Sequence, residues 1–209
     1  MNVSKVPLAL RTSLLALLLM TGTGGAFLVT EEVKRESQTN EYVRAVAADN
    51  EVSQAVKIAM VMGYFYESSN KHIGTPYTDK NGKGRPLTVC NGVTGAGVYA
   101  DKYYTPNDCY HLERKRYITA EAQAKTVLKY WNTYDPFTQA VFIDFIWNKG
   151  FGNFTTSTML AKANRGDLIG SCKENPRWNR GTVNGISTVL PGLVIRGDSN
   201  SELCTDWRM

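Results

Sequence analysis

Beyond residue 50, the chain alternates between helical patterns of apolar residues and stretches rich in turn-forming residues. From Asn50 onward, apolar side chains recur at three- and four-residue spacing, which predicts a helix that ends at residues 66–69. Two later stretches begin with residues that suit a helix N-cap, Thr119 and Asp135, and Pro136 follows the second. We expect the later helices over residues 119–131, 136–149, 156 or 157 to 164, and 192–203.

The intervening segments 70–110 and 173–192 contain many Gly, Pro and Asn residues, which favour turns and loops. Within the first segment, residues 87–90 and 98–99 are short strand candidates, so a small sheet or hairpin is expected there. No internal repeat or low-complexity tract is visible. The pattern therefore predicts an α+β protein that is mostly α-helical, with a small antiparallel β element.

The first 30 residues differ in composition from the rest of the chain. Lys5 and Arg11 precede an uncharged stretch over 12–30, which is close to the roughly 20 residues that span a bilayer. Positive residues before an apolar stretch direct the remainder across the membrane. We expect residues 1–30 to form an uncleaved, weak signal-anchor in the inner membrane. The alternative is a signal peptide that is cleaved after Ala26, and either way the body lies outside the cytoplasm.

The segment 31–49 is polar and charged, so we expect a tether that runs into the first helix of a folded domain over 50–209. A length of 209 residues fits one such domain. The net charge of +5 and the pI of about 9.0 indicate an anionic partner, such as a cell-wall polymer, a membrane surface or nucleic acid. Because no run of Lys or Arg stands out, a mildly basic surface without a partner is the alternative.

Four cysteines, Cys90, Cys109, Cys172 and Cys204, all lie in the exported part of the chain. An even number of cysteines in an oxidising compartment favours two disulfides, and the spacings do not suit a zinc site. We favour Cys90–Cys109 and Cys172–Cys204 because each pair is nearest in sequence. Free buried thiols are the alternative.

Two carboxylates and a threonine, Glu67, Asp79 and Thr88, follow one another in the turn-rich region. Cleavage of a glycosidic bond commonly needs one carboxyl group as acid and a second to orient or activate the attacking group. Glu67 follows three aromatic residues at a predicted helix end, a setting that suits a general acid. Asp79 lies in a turn that leaves it solvated, as suits a base, and the Thr88 hydroxyl is placed to hold a water molecule. Each also has a structural explanation, as an exposed Glu, a turn Asp and a strand Thr.

No other catalytic pattern is convincing. The chain has two histidines, His72 and His111, and neither belongs to a recognisable nucleophile–histidine arrangement. Fingerprints for zinc proteases and for nucleotide binding are absent from the sequence. We therefore expect no metal, no cofactor and no nucleic-acid partner.

Taken together, these residues resemble the phage lysozyme family, glycoside hydrolase family 24. The family pattern is a Glu, then a Pro-Tyr-x-Asp-x-x-Gly turn, then a Thr before a Gly-rich turn; here these are Glu67, residues 76–82 and residues 88–95. Segments 142–150 and 190–196, the latter with residues 202–204, are also similar to the family, and the match extends from about residue 50 to 205. The weak anchor is similar to the signal-arrest-release segments of some phage endolysins.

The resemblance implies a two-lobed lysozyme-like fold and metal-free cleavage of the β-1,4 bonds between N-acetylmuramic acid and N-acetylglucosamine in peptidoglycan. It implies that Glu67 is the general acid, that Asp79 positions water and that Thr88 assists. Arg196 falls where it would tune Glu67, and Asn148 falls near the cleft wall. The two loops that separate Glu67, Asp79 and Thr88 are longer than is usual in the family.

A lysozyme of this type would be an endolysin that lyses the host cell. We expect a monomer that is held in the host inner membrane with its C-terminus in the periplasm and is then released to the periplasm. Two other functions remain open. One is a lytic transglycosylase that acts through Glu67 alone and leaves anhydro-muramic ends. The other is a peptidoglycan-binding or inhibitory protein that kept the fold and lost catalysis.

Overall fold

The computed structural model describes residues 4–23, 30–78, 84, 86–183 and 185–207. The α-helices in these segments are α1 Leu8–Thr21, α2 Glu31–Thr39, α3 Glu41–Ala48, α4 Gln54–Ser68, α5 Pro106–Val127, α6 Pro136–Lys149, α7 Phe151–Thr155, α8 Thr158–Ala163, α9 Leu168–Cys172 and α10 Pro191–Thr205. The strands β1 Tyr77–Thr78, β2 Leu87–Val89 and β3 Val93–Thr94 form an antiparallel sheet, and β4 Arg180–Val183 and β5 Ile186–Val189 form an antiparallel hairpin. This mostly helical architecture with small antiparallel sheets confirms the predicted α+β class.

The helix α6 lies at the centre of the core. As expected, Asp135 is its N-cap: the carboxylate accepts hydrogen bonds from the backbone N–H groups of Phe137 and Thr138, and Pro136 occupies the first helical position. Nearly every side chain between residues 137 and 146 is buried. Because α6 packs against α4, α5 and α10, these helices share one core and their side chains can meet at its edge.

The helix α5 begins earlier than the sequence pattern predicted. Thr105 is the N-cap, and it exchanges hydrogen bonds with Asp108 in a capping box. Thr119, the expected N-cap, instead lies inside the helix, where its hydroxyl donates to the carbonyl of Lys115. The prediction of a separate helix start at Thr119 was wrong because a threonine hydroxyl can also be satisfied by the preceding helical turn.

Two further elements differ from the sequence prediction. The segment 173–192, in which no element was expected, contains the β4–β5 hairpin. Residues 98–99, expected to form a strand, lie in a loop, where the N–H of Tyr99 donates to the hydroxyl of Tyr104. A single side chain therefore satisfies the backbone group that a neighbouring strand would have satisfied.

Both favoured disulfides are formed. Cys90–Cys109 joins the end of β2 to α5, and Cys172–Cys204 joins α9 to α10. None of the four cysteines is free. The first bridge fixes the small sheet to the helical core, and the second fixes the last helix.

The N-terminal segment packs against the core. Leu10, Leu14, Leu17 and Leu18 of α1 are fully or almost fully buried, and the helix contacts α2, α3 and α4. The part of the expected anchor at 24–29 lies outside the described residues. In the segments that the structure describes, no helix has the length and the apolar content needed to cross a bilayer. The expected membrane segment is not confirmed and stays a prediction.

The segment 31–49, expected to be a tether, forms α2 and α3. Three side chains of α3, Tyr42, Val43 and Val46, are buried in the core. The structured body of the protein therefore includes residues on the N-terminal side of position 50.

Replacing Leu14 by Ala should lower the free energy of unfolding by about 2–5 kcal/mol, because it leaves a cavity at a fully buried position of α1. Leu19 of the same helix is 42% exposed, so Leu19→Ala is the matched control, with an expected loss below about 1 kcal/mol. Urea unfolding of the full-length variants, followed by circular dichroism, measures both losses. Equal losses would show that α1 is not packed on the core in solution.

Candidate active site

Glu67 lies in the last turn of α4, next to the C-terminal residue Ser68. The helix ends at Ser69, whose backbone is left-handed (φ 54°) and whose N–H donates to the carbonyl of Phe65. The side chain of Glu67 is 32% exposed, whereas residues 55–64 of the same helix are buried. A rigid buried helix therefore presents this carboxyl group at the edge of the core.

Arg196 of α10 binds Glu67 and a second carboxylate at the same time. Its Nη1 donates to Oε1 of Glu67 at 2.7 Å, while Nε and Nη2 donate to the two oxygens of Asp144 at 3.0 and 2.8 Å. The side chains of Arg196 and Asp144 are 7% and 0% exposed. Burial lowers the pKa of Arg196, but the two carboxylates outweigh that effect, so the pKa is raised overall and the guanidinium stays charged.

Two polar side chains complete this cluster. The amide of Asn200 donates to Oδ2 of Asp144 at 2.7 Å, and the hydroxyl of Tyr66 donates to Oδ1 of Asn200 at 2.8 Å. The guanidinium carbon of Arg196 lies 4.8 Å from the centre of the Tyr66 ring. Burial raises the pKa of the Tyr66 phenol, so the hydroxyl remains a donor. The cluster joins α4, α6 and α10 beneath Glu67.

Glu67 lines an open groove of about 470 Å³. The groove is also lined by the turn after β2 and by side chains of α5, α6 and α7, among them Asn91, Arg116, Trp147, Asn148 and Phe151. The ring of Trp147 stacks on Tyr117, with 4.5 Å between ring centres. The Oδ1 atom of Asn148 is buried and has no hydrogen-bond partner. Among the described residues, the groove therefore combines the Glu67 carboxyl group with two aromatic side chains, Trp147 and Phe151.

Thr88 lies in β2, the middle strand of the small sheet, opposite Tyr77 on β1 and Thr94 on β3. It is buried, and its hydroxyl donates to the carbonyl of Pro86 at 3.1 Å. The strand leads directly into the turn that lines the groove. Asp79 lies outside the described residues.

The structure thus brings Glu67 and Asn148 to one groove, holds Arg196 buried against Glu67, and places Thr88 in the adjoining sheet. The sequence pattern did not single out Asp144 and Asn200, which hold Arg196 in place. A carboxylate within the otherwise apolar run Phe142–Ile146 was the available clue to Asp144. Within the described segments, no three His, Cys, Asp or Glu side chains come together as a metal site.

Replacing Arg196 by Ala should lower the free energy of unfolding by about 3–5 kcal/mol, because it leaves the buried Asp144 carboxylate without its cation. Arg177→Ala is the matched control: the Arg177 side chain is 72% exposed and its partner Glu174 keeps Lys162 at 2.5 Å, so the loss should stay below about 1 kcal/mol. Chemical unfolding of both variants measures the difference. Similar small losses would mean that the Asp144–Arg196 pair is hydrated in solution.

Comparison with known proteins identifies the family and the fold of the chain. The phage lysozyme family model matches residues 67–200. A SAR-endolysin (a signal-arrest-release endolysin) of Bacteriophage PS119 is 39% identical over 129 residues, which are 62% of this chain and 72% of that protein.

Two solved structures are similar in fold. The endolysin from Escherichia coli O157:H7 phage FAHEc1 has a TM-score of 0.64 at 16% identity. The match covers 77% of this chain and 96% of that endolysin. The active form of P1 phage endolysin Lyz has a TM-score of 0.60 at 17% identity, and the match covers 87% of this chain and 96% of Lyz. The fold is therefore lysozyme-like. With the matched family model and the similarity to a SAR-endolysin, the chain belongs to the phage lysozyme family.

Proposed function

We propose that this chain is a muramidase that hydrolyses the β-1,4 bonds between N-acetylmuramic acid and N-acetylglucosamine, with Glu67 as the general acid. Its family membership makes it a phage endolysin, a glycosidase that acts on the peptidoglycan of the host. The observation that carries the residue assignment is the position of Glu67. Among the described residues that line the groove, Glu67 is the acidic one, and a buried arginine fixes its carboxyl group.

Arg196 makes a bidentate contact with Asp144, so most of its hydrogen-bonding capacity is directed away from Glu67. It binds Glu67 through Nη1 and Oε1. We therefore assign Oε2 of Glu67 as the oxygen that gives its proton to the leaving sugar oxygen. Asp79 is the proposed second carboxylate, which orients the attacking water, and Thr88 assists it.

The groove offers contacts that suit a glycan. Trp147 provides an aromatic side chain beside Glu67, and Arg116 provides a cation whose guanidinium carbon lies 5.9 Å from that ring. Asn148 also lines the groove, where it can contact a bound sugar. We therefore include Asn148 among the substrate-binding residues and expect neither metal nor cofactor.

We also propose that residues 12–30 first hold the chain in the host inner membrane, with its C-terminus in the periplasm, and that the monomer is later released. The support is similarity to SAR-endolysins together with the apolar face of α1. The leucines that α1 buries in the protein are the side chains that would face lipid in the bilayer. Release would then exchange a lipid environment for a protein environment around the same side chains.

A lytic transglycosylase is the second candidate, because one acid is sufficient for that reaction and Glu67 is the acid placed at the groove. It would yield anhydro-muramic ends without a second carboxylate. A protein that binds peptidoglycan without cutting it is the third candidate. These three functions differ in the products that they release.

The test is mass spectrometry of the products that the full-length protein releases from purified peptidoglycan. Glu67→Gln should lower the rate by roughly 100-fold or more, because it removes the proton donor. Asp79→Ala should also abolish the hydrated muramic ends. Glu51→Gln is the matched control: its side chain is 84% exposed and lies outside the groove, so it should keep wild-type activity. Anhydro ends that survive Asp79→Ala would establish the transglycosylase, and binding without products would establish the third candidate.

A further inference from the structure

Glu113 of α5 is a fully buried carboxylate that the proposed chemistry does not use. The hydroxyl of Tyr42 on α3 donates to its Oε2. The backbone N–H of Asn91 donates to Oε1 at 3.2 Å, and the Asn91 side-chain amide lies 3.0 Å from both oxygens. Asn91 provides two donors and the Tyr42 hydroxyl, which can donate or accept, is placed as a third, so an ionised carboxylate can accept hydrogen bonds from all of them.

The partner Asn91 belongs to the turn Cys90–Gly92, which connects β2 to β3. Asn91 and Gly92 line the groove together with Glu67. Cys90 has a φ of 56° and Gly92 a φ of 82°, and a residue with a side chain rarely adopts this left-handed conformation. The surroundings must therefore hold the turn in shape. Two links to α5 do so, the Cys90–Cys109 disulfide and the Glu113–Asn91 contact.

Glu113 changes its charge in the neutral range. Burial, the largest effect, raises its pKa from 4.5 to about 7, and hydrogen bonds from Tyr42 and Asn91 oppose the rise. The titratable groups that face Glu113 are Tyr42 on α3, Tyr64 and Glu67 on α4, and Tyr117 on α5. The pKa values of all three tyrosines are raised, so these phenols stay neutral near pH 7.

We propose that Glu113 is a positioning residue for glycan cleavage: as a carboxylate it holds the Cys90–Gly92 turn against α5 and so sets the wall of the groove beside Glu67. This inference rests on the proposed function, because it concerns the same groove. A protonated Glu113 can donate to the Tyr42 oxygen, so the hydrogen bond with Tyr42 reverses its direction. The protonated oxygen is then a poorer acceptor for the Asn91 amide, and the turn is held less firmly.

The negative charge of ionised Glu113 lowers the free energy of unfolding. Because the folded-state pKa of Glu113 is raised, the folded protein keeps a proton between pH 4.5 and about 7 that the unfolded chain has lost. The contribution of this bound proton to the free energy of unfolding is fully present below pH 4.5 and is lost as the pH rises through about 7. Glutamine has the shape of the neutral side chain and never ionises. Glu113→Gln should therefore leave the protein at least as stable as the wild type at about pH 8, while weakening the hydrogen bonds that hold the Cys90–Gly92 turn.

Asp49 provides the matched control. It too binds α5: the Tyr110 hydroxyl donates to it, and Nε of Arg114 donates to it at 2.5 Å. The hydrogen bond from Arg114 lowers its pKa, which shows that the ionised form is favoured. None of these contacts reaches the Cys90–Gly92 turn. Asp49→Asn should therefore lower the thermal midpoint and leave kcat per folded molecule unchanged.

The experiment measures kcat and KM on purified peptidoglycan for the full-length wild type, Glu113→Gln and Asp49→Asn from about pH 5 to about pH 8, with thermal unfolding at each pH. The ratio of wild-type kcat to Glu113→Gln kcat should rise from near one at about pH 5 to about tenfold at about pH 8, with KM little changed. Every residue other than 113 is the same in both proteins, so the ratio reports the change at Glu113.

Equal kcat values for the wild type and Glu113→Gln at every pH, with the wild type active, would overturn the positioning role and leave the proposed function intact. A kcat loss that merely follows a lower thermal midpoint, as for a general destabilisation, would overturn it too. A wild type that releases no products would instead overturn the proposed function. The two failures are therefore distinguishable.

A second variant covers the case in which Glu113→Gln does not fold. Asn91→Ala removes the amide donor on the other side of the contact and should lower kcat by a similar factor at about pH 8. Where both single variants fold, the double variant should lose no more activity than either one alone, because both changes break one contact. An Asn91→Ala variant with wild-type kcat, or losses that multiply in the double variant, would contradict the proposal.

Discussion

The site depends on one buried ion cluster, in which Arg196 binds Asp144 through two hydrogen bonds and Glu67 through a third. Charges are expensive to bury, so such a cluster is weak evidence for stability and better evidence for a required geometry. It joins helices α4, α6 and α10, whose packing would otherwise depend on apolar side chains that can slide past one another. A single guanidinium therefore fixes the direction of the Glu67 carboxyl group relative to the core.

The part of the groove formed by the turn after β2 is fixed from α5 by different means. The disulfide at Cys109 and the carboxylate of Glu113 both reach the turn after β2, which holds an unfavourable backbone conformation at Cys90. The turn connects β2 to β3, and β2 contains Thr88. A change that loosens the turn would therefore also affect the strand that contains this candidate residue. One part of the groove is thus positioned by the ion cluster around Arg196, and another part by the Cys90–Cys109 disulfide and the buried Glu113. Arg196, Asp144 and Glu113 therefore shape the groove through the residues that line it, Glu67 and Asn91.

The sequence predicted the elements whose boundaries are marked locally. The Asp135–Pro136 start of α6 and the end of α4 near Glu67 are examples, because caps and periodicity act within a few residues. The start of α5 was missed because Thr105 and Thr119 offer the same local cue and the capping-box contact decides between them. The apolar run around Asp144 indicates burial, but the partners of Asp144 and Glu113 could not be identified from sequence, because they come from distant parts of the chain. The resemblance drew attention to Arg196, but only the structure shows that it is shared between two carboxylates.

The N-terminal segment connects to the site by polar contacts as well as by its leucines. The Ser13 hydroxyl of α1 donates to Glu36 at 2.7 Å and accepts from the amide of Asn70 at 3.0 Å. Asn70 lies three residues after Glu67 in a left-handed conformation. Near the other end, the Ser4 hydroxyl donates to Glu202 of α10 at 2.5 Å. A lipid bilayer provides none of these partners. If residues 12–30 first span the inner membrane, as proposed, then docking of the N-terminal segment in the released protein adds contacts to α10, which carries Arg196, and to the turn that follows Glu67.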